Sequence, residues 1–97
     1  MSTVGKSSHR SEAEFRKRAQ CWANKIGVRP RQVRIQIMRR KWASCSTRGT
    51  VSFSRDLLGR PRRFWDEVIV HELVHLRIPN HGRLFRRIVS AHLAHVR

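Results

Sequence analysis

Acidic residues are what this chain has least of. Six Asp and Glu stand against 22 Lys and Arg, for a formal charge of +16. The six are Glu12, Glu14, Asp56, Asp66, Glu67 and Glu72, too dispersed to form a carboxylate site for magnesium or calcium. That scatter also disfavours a two-metal nuclease centre. Tyrosine is absent, so no phenol is available as a proton or hydrogen-bond donor. Two cysteines, Cys21 and Cys45, are too few for a disulfide framework, and the expectation is free thiols in a reducing cytoplasm. No apolar run approaches the ~20 residues of a membrane span. Residues 1–10 are polar and lack the apolar segment of a signal peptide, so no membrane partner is expected.

What is present is mostly arginine. Eighteen of the cations are Arg and four are Lys. Guanidinium groups fork phosphates and stack on bases, which makes DNA or another polyanion a candidate partner through the basic surface. The plainer reading is a solvated cationic surface set by composition. With 97 residues the chain makes one domain, whose core is small enough that a bound metal would help to hold it. It is expected to be a monomer. Residues 1–10, with Lys6, His9 and Arg10, read as a disordered basic arm, and residues 11–97 as the domain.

Ser11 and Glu14 form a capping-box pattern that opens a helix to about Ile26. Phe15, Ala19, Trp22, Ala23 and Ile26 supply its apolar face, and Gly27 is a plausible C-cap. Val33, Ile35 and Ile37 alternate with polar residues, as do Val51 and Phe53, predicting two strands paired antiparallel across a longer loop. Trp42 reads as a packing anchor beneath that loop. Cys45 reads as a small buried residue; the sharper alternative is a thiolate that caps a metal. Asp66 and Glu67 fall in the early turns of the following helix, where its dipole favours negative charge. Asn80 would cap a last helix from about His81 to Val96, with Leu84, Phe85, Ile88, Val89 and Leu93 on its apolar stripe. The fold class predicted is α+β: an N-terminal helix, a small antiparallel sheet, a central histidine-bearing helix and a C-terminal helix.

That central helix carries His71-Glu72-Leu73-Val74-His75, with His81 six residues on. Residues four apart stack one turn above each other, so His71 and His75 can direct two imidazoles at one ion. Glu72 lies about 100° round the helix and can address a water there. Pro79 disfavours helix at Ile78, so the chain can turn and bring His81 as a third ligand. The flanking Val68, Ile69, Val70, Leu73 and Val74 make the helix apolar nearly all round, and a buried helix does not carry two unpartnered histidines cheaply. Three neutral imidazoles with a fourth position open describe a hydrolytic Zn²⁺ site, with Glu72 as catalytic base. The spacing also matches H-E-x-x-H-x-x-G-x-x-H of the metzincins. Ile78 occupies the glycine position, however, and no methionine follows Met38, so the metzincin turn is missing.

Further segments resemble one family. Trp42-Ala43-Ser44-Cys45-Ser46 and Gly49-Thr50-Val51-Ser52-Phe53-Ser54-Arg55-Asp56-Leu57 resemble the W-G-S-C-S and G-x-I-x-L-N-x-x-L segments of the YgjP-like metallopeptidases. Val68 through Leu76 and Asn80-His81-Gly82-Arg83-Leu84-Phe85 are similar to its histidine segments. The resemblance spans about Trp22 to Ile88, with Ala43 for glycine, Ser54 for asparagine and Gly82 for serine. It implies a minimal zincin-like fold with zinc on His71, His75 and His81, Glu72 as base, and a peptide or protein substrate. The family is similar to the SprT/Spartan and WLM groups, some of which degrade proteins crosslinked to DNA, so DNA-associated targets are a further expectation. Lys41, His92, His95 or an arginine would stabilise the oxyanion. The alternative is a zinc-stabilised nucleic-acid-binding module without turnover.

Overall fold

The computed structural model describes the backbone of residues 3–94 and the side chains of residues 12–94. Helix α1 (Thr3–Ile26) is followed by strands β1 (Gln32–Gln36), β2 (Ala43–Cys45) and β3 (Thr50–Ser54). A 3-10 turn (Arg55–Gly59) leads to α2 (Arg62–His75), and α3 (Arg83–Leu93) closes the order. The class is α+β. No described helix is long and apolar enough to cross a membrane.

Helix α1 starts at Thr3, not at Ser11, so helical backbone stands in place of the arm expected over residues 3–10. Once a turn is nucleated, each further residue adds a hydrogen bond for little extra entropy. The expected face is buried: Phe15, Ala19, Trp22, Ala23 and Ile26 are each at most 7 % exposed. Gly27 ends the helix at φ +83°, where its N–H bonds the Ala23 carbonyl at 2.9 Å.

The sheet corrects the expected pairing. Its order is β1-β3-β2, with β1 parallel to β3 and β2 antiparallel to it. The stretch read as a turn contains a third strand. Two reversals of direction, before and after β2, separate β1 from β3, and two reversals restore the original direction. The second is tight: Ser46 Oγ accepts from the N–H groups of Arg48 and Thr50, and Gly49 sits at φ +95°. Val33 and Ile35 lie opposite Val51 and Phe53, but Ile37 has left the strand and is 74 % exposed. Trp42 is no anchor either. It is exposed, with its ring edge-on to Phe64 at 5.2 Å and Arg60 over its face. Cys21 and Cys45 are both free.

Asp66 ties α1 to α2 in a way that the dipole argument did not anticipate. Its carboxylate, on a residue 3 % exposed, accepts from Arg18 Nε at 2.6 Å, Arg18 Nη2 at 2.8 Å and Trp22 Nε1 at 2.8 Å. The bond to Asp66 raises the Arg18 pKa against the opposing effect of burial. Phe15 sits edge-on to both Phe53 and Trp65, joining α1, the sheet and α2 in one core. Trp65 Nε1 donates to the Leu57 carbonyl, fixing the 3-10 turn to α2. Ser54 caps that turn, accepting from Asp56 N at 3.2 Å.

Replacing Asp66 by alanine strands the buried Trp22 N–H and the Arg18 guanidinium, and should cost about 2–4 kcal/mol in urea unfolding. Glu14→Ala, which removes only the exposed pair with Arg62, should cost less than about 1 kcal/mol.

Candidate metal centre

The three candidate ligands come from one helix and the loop that follows it. His71 and His75 lie one turn apart near the C-terminal end of α2. The helix ends where the Ile78 N–H bonds the Val74 carbonyl at 2.9 Å. The chain then passes Pro79 and brings His81 back over the pair. The last helix begins two residues later than expected, at Arg83 with Gly82 as its N-cap residue, so His81 precedes α3. A loop backbone lets its ring turn inward, which a place on the α3 stripe would not.

His81 Nε2 lies 2.9 Å from His75 Nε2 and 3.2 Å from His71 Nε2. One ligand nitrogen from each ring falls within 4.8 Å of the others. Nitrogens about 2.0–2.1 Å from a tetrahedral zinc lie about 3.3 Å apart, close to the two separations that His81 makes. His75 Nδ1 stands 3.2 Å from the Ile78 carbonyl. A carbonyl only accepts, so Nδ1 carries the proton and Nε2 presents its lone pair to the centre.

Phe85, 3 % exposed on α3, floors the cluster. Its ring stacks on His75 at 4.5 Å and 27° and meets His71 and His81 at 5.0 Å each. The sequence pattern assigns Phe85 to the apolar stripe of α3 and misses this second role. Its position four residues after His81, on the turn that follows the ligand loop, is the available signal.

Glu72 is 9 % exposed on α2 and lines the adjoining cleft, with Oε2 at 4.0 Å from His71 Nε2. Burial raises the Glu72 pKa; the charges of His81 and Lys41 act against that. Burial also lowers the His71 pKa, assisted by His75 and His81, and so favours the neutral ring that a metal needs. A cleft of about 870 Å³ opens over Glu72, His75 and His81 and runs along β2. Cys45 lines it, half-buried, and burial followed by the Glu72 charge pushes its thiol up, which weighs against a metal-capping thiolate. Of the candidate oxyanion donors, Lys41 lines this cleft. His92 does not: its ring packs edge-on to Trp22 at 6.3 Å, beside Ile26, Val74 and Ile88. His95 lies outside the described residues.

Comparison with known proteins bears on this geometry. The sequence profile of the YgjP-like metallopeptidase domain matches residues 6–97. No curated protein matches the chain. The fold is similar to the crystal structure of the metallopeptidase zymogen of Pyrococcus abyssi abylysin, with a TM-score of 0.70 at 22 % identity over 78 % of this chain and 76 % of that one.

The opposed shifts of Glu72 and His71 predict how the metal-free protein responds to pH. Glu72 has a higher pKa folded than unfolded, so its contribution to stability is complete below the ordinary carboxylate range. That contribution is lost as pH rises through the raised folded value. His71 has a lower pKa folded, so its contribution is present above the ordinary imidazole range and lost as pH falls through the lowered value. In thermal scans with chelator, Glu72→Gln should therefore raise Tm at neutral pH, with the gain vanishing below the ordinary carboxylate range.

Proposed function

The chain belongs to the YgjP-like metallopeptidase family, and on that premise we propose that it is a zinc-dependent peptidase in which Glu72 is the general base. The observation that carries the reading is the convergence of three imidazole nitrogens beside a buried glutamate that no structural metal site would need. His71, His75 and His81 would hold the metal, which supplies the Lewis acidity that makes water a nucleophile near neutral pH.

The chain's own groups account for the rest of the hydrolysis. Water is added across the C–N bond, its hydroxyl going to the acyl carbon and a proton to the departing amine. Glu72 takes the proton from water and returns it to the amine nitrogen, and its raised pKa suits both transfers. The outer edge of β2 carries no strand among the described residues and lines the cleft, so an extended peptide can pair with Ala43, Ser44 and Cys45. Lys41, just before β2, can approach the carbonyl oxygen as negative charge grows there.

DNA-associated proteins are the proposed wider target class, and the outer face of α3 supports it. Arg83, Arg86 and Arg87 are exposed together there, away from the cleft over Glu72. Binding of a single-stranded oligonucleotide should weaken steeply between about 50 and 200 mM salt. Arg83→Ala with Arg87→Ala should flatten that dependence by about two phosphate contacts.

The test of catalysis separates chemistry from metal binding. Glu72→Gln should lower kcat for casein or an unfolded protein by at least ~100-fold while keeping the zinc stoichiometry. His75→Ala should lose the zinc itself, and equal turnover by wild type and Glu72→Gln would sink the peptidase reading.

A further inference from the structure

Three of the six acids are held in ion pairs away from the cleft over Glu72. Glu12 meets Arg16 and Arg55, Glu14 meets Arg62, and Asp66 meets Arg18. None of these reaches the cleft over Glu72, and Glu72 is the only carboxylate among its lining residues. Facing that single buried group are Arg29, Arg31, Lys41, Arg48 and Arg77. All five are exposed, and none is ion-paired with Glu12, Glu14, Asp66 or Glu72. Arg77 is engaged by the Ile26 carbonyl at 3.4 Å, and Arg29, Arg31, Lys41 and Arg48 are the other cations that line the cleft.

Their placement follows the substrate edge. Lys41 precedes β2 by two residues, and Arg48 lies in the turn that leaves it. Arg31 is brought to that same turn by its backbone N–H, which bonds the Gly49 carbonyl at 2.8 Å. Its side chain lies across Gly49, where an added Cβ would come within 3.2 Å of Arg31 Cγ. The edge on which a peptide would lie thus has Lys41 at one end and Arg31, Arg48 and the neighbouring Arg29 at the other. Like charges drawn to one concave surface repel each other, and low-dielectric walls strengthen their common field. The missing counter-charge is then the ligand's to bring.

We propose that the cleft selects peptide segments carrying Asp or Glu on the residues flanking the one presented to Glu72; the inference rests on the peptidase reading and names its substrate class. Two or three partly exposed ion pairs, each contributing about two- to fivefold, amount to about tenfold preference.

Three peptides with one common core and flanks of Glu, Gln or Lys provide the test, at 150 mM salt. Their affinities are measured by fluorescence anisotropy on zinc-loaded Glu72→Gln protein, and their turnover on wild type. The Glu-flanked peptide should bind about tenfold more tightly than the Gln-flanked one, with the Lys-flanked peptide weakest. Arg31→Glu with Arg48→Glu should reverse that order, while Lys17→Glu with Arg34→Glu, an equal charge change at exposed positions outside the cleft, should preserve it. Equal affinities, or an order untouched by the cleft pair, overturn the proposal. It is overturned equally if the cleft pair releases single-stranded DNA and leaves peptide selectivity as it was, for then these cations serve a nucleic acid. If the order of binding holds while wild type turns over none of the peptides, the acidic-peptide site stands and the peptidase reading falls.

Discussion

Two histidines one helical turn apart act as a pair only if their helix cannot rotate. An imidazole nitrogen reaches about 6 Å from a helix axis, so a rotation of about 36° would carry it about 4 Å. That is comparable with the whole 4.8 Å spread of the three ligand nitrogens. The fold answers this by holding α2 on every side but one. Ile69, Val70, Leu73 and Val74 are each at most 1 % exposed. Asp66, five residues before His71, is bonded twice to Arg18 and once to Trp22, which fixes the azimuth of α2 against α1 directionally, as apolar packing alone would not. The bond from Trp65 to the Leu57 carbonyl secures the start of the same helix.

The third candidate ligand, His81, needs a different kind of support, because it comes from a loop. His81 is exposed and lies outside strand and helix, with its carbonyl accepting from Arg86 Nε of α3 at 3.4 Å. Its ring is positioned by what it touches: the two imidazoles of α2 and the edge of Phe85. Phe85 is itself anchored by burial on α3, so that helix serves the site by delivering a platform to it. The Ile78 carbonyl, released by the end of α2, settles which nitrogen of His75 faces inward. The stop of a helix, the tautomer of His75 and the return of His81 are thus consequences of a single turn at Ile78 and Pro79.

The residues that gather at the site were legible in the sequence because their pattern is local. His71, Glu72 and His75 are related by helix geometry alone, and Pro79 makes the return of His81 a short-range matter. The buried face of α1 was legible for the same reason. What was not legible depends on contacts distant in the chain. The parallel pairing of β1 with β3 requires knowing that Ala43–Cys45 is a strand, and three residues are too few to display a period of two. Asp66 looks like an ordinary early-turn carboxylate until Arg18 and Trp22, more than forty residues away, are placed beside it. Leu84 falls on the apolar arc of α3 yet is 61 % exposed, because α3 packs α2 through Phe85 and Leu93 and little lies beyond. Periodicity reports which face is apolar, not how much neighbour exists to cover it.

The scarcity of acids, noticed first as composition, acquires a location in the fold. A buried carboxylate is costly unless it is paired, and the two that are most buried are treated in opposite ways. Asp66 receives three hydrogen bonds and a guanidinium, which is how a charge is made compatible with a core. Glu72 receives no such partner; burial raises its pKa and only the nearby charges of His81 and Lys41 oppose that. A protein with a surplus of 16 positive charges had no shortage of arginines with which to satisfy it. The group left in tension is the one beside the three imidazoles, and a strongly perturbed group in a cleft marks a candidate functional site, whereas the group that is fully satisfied holds the helix still.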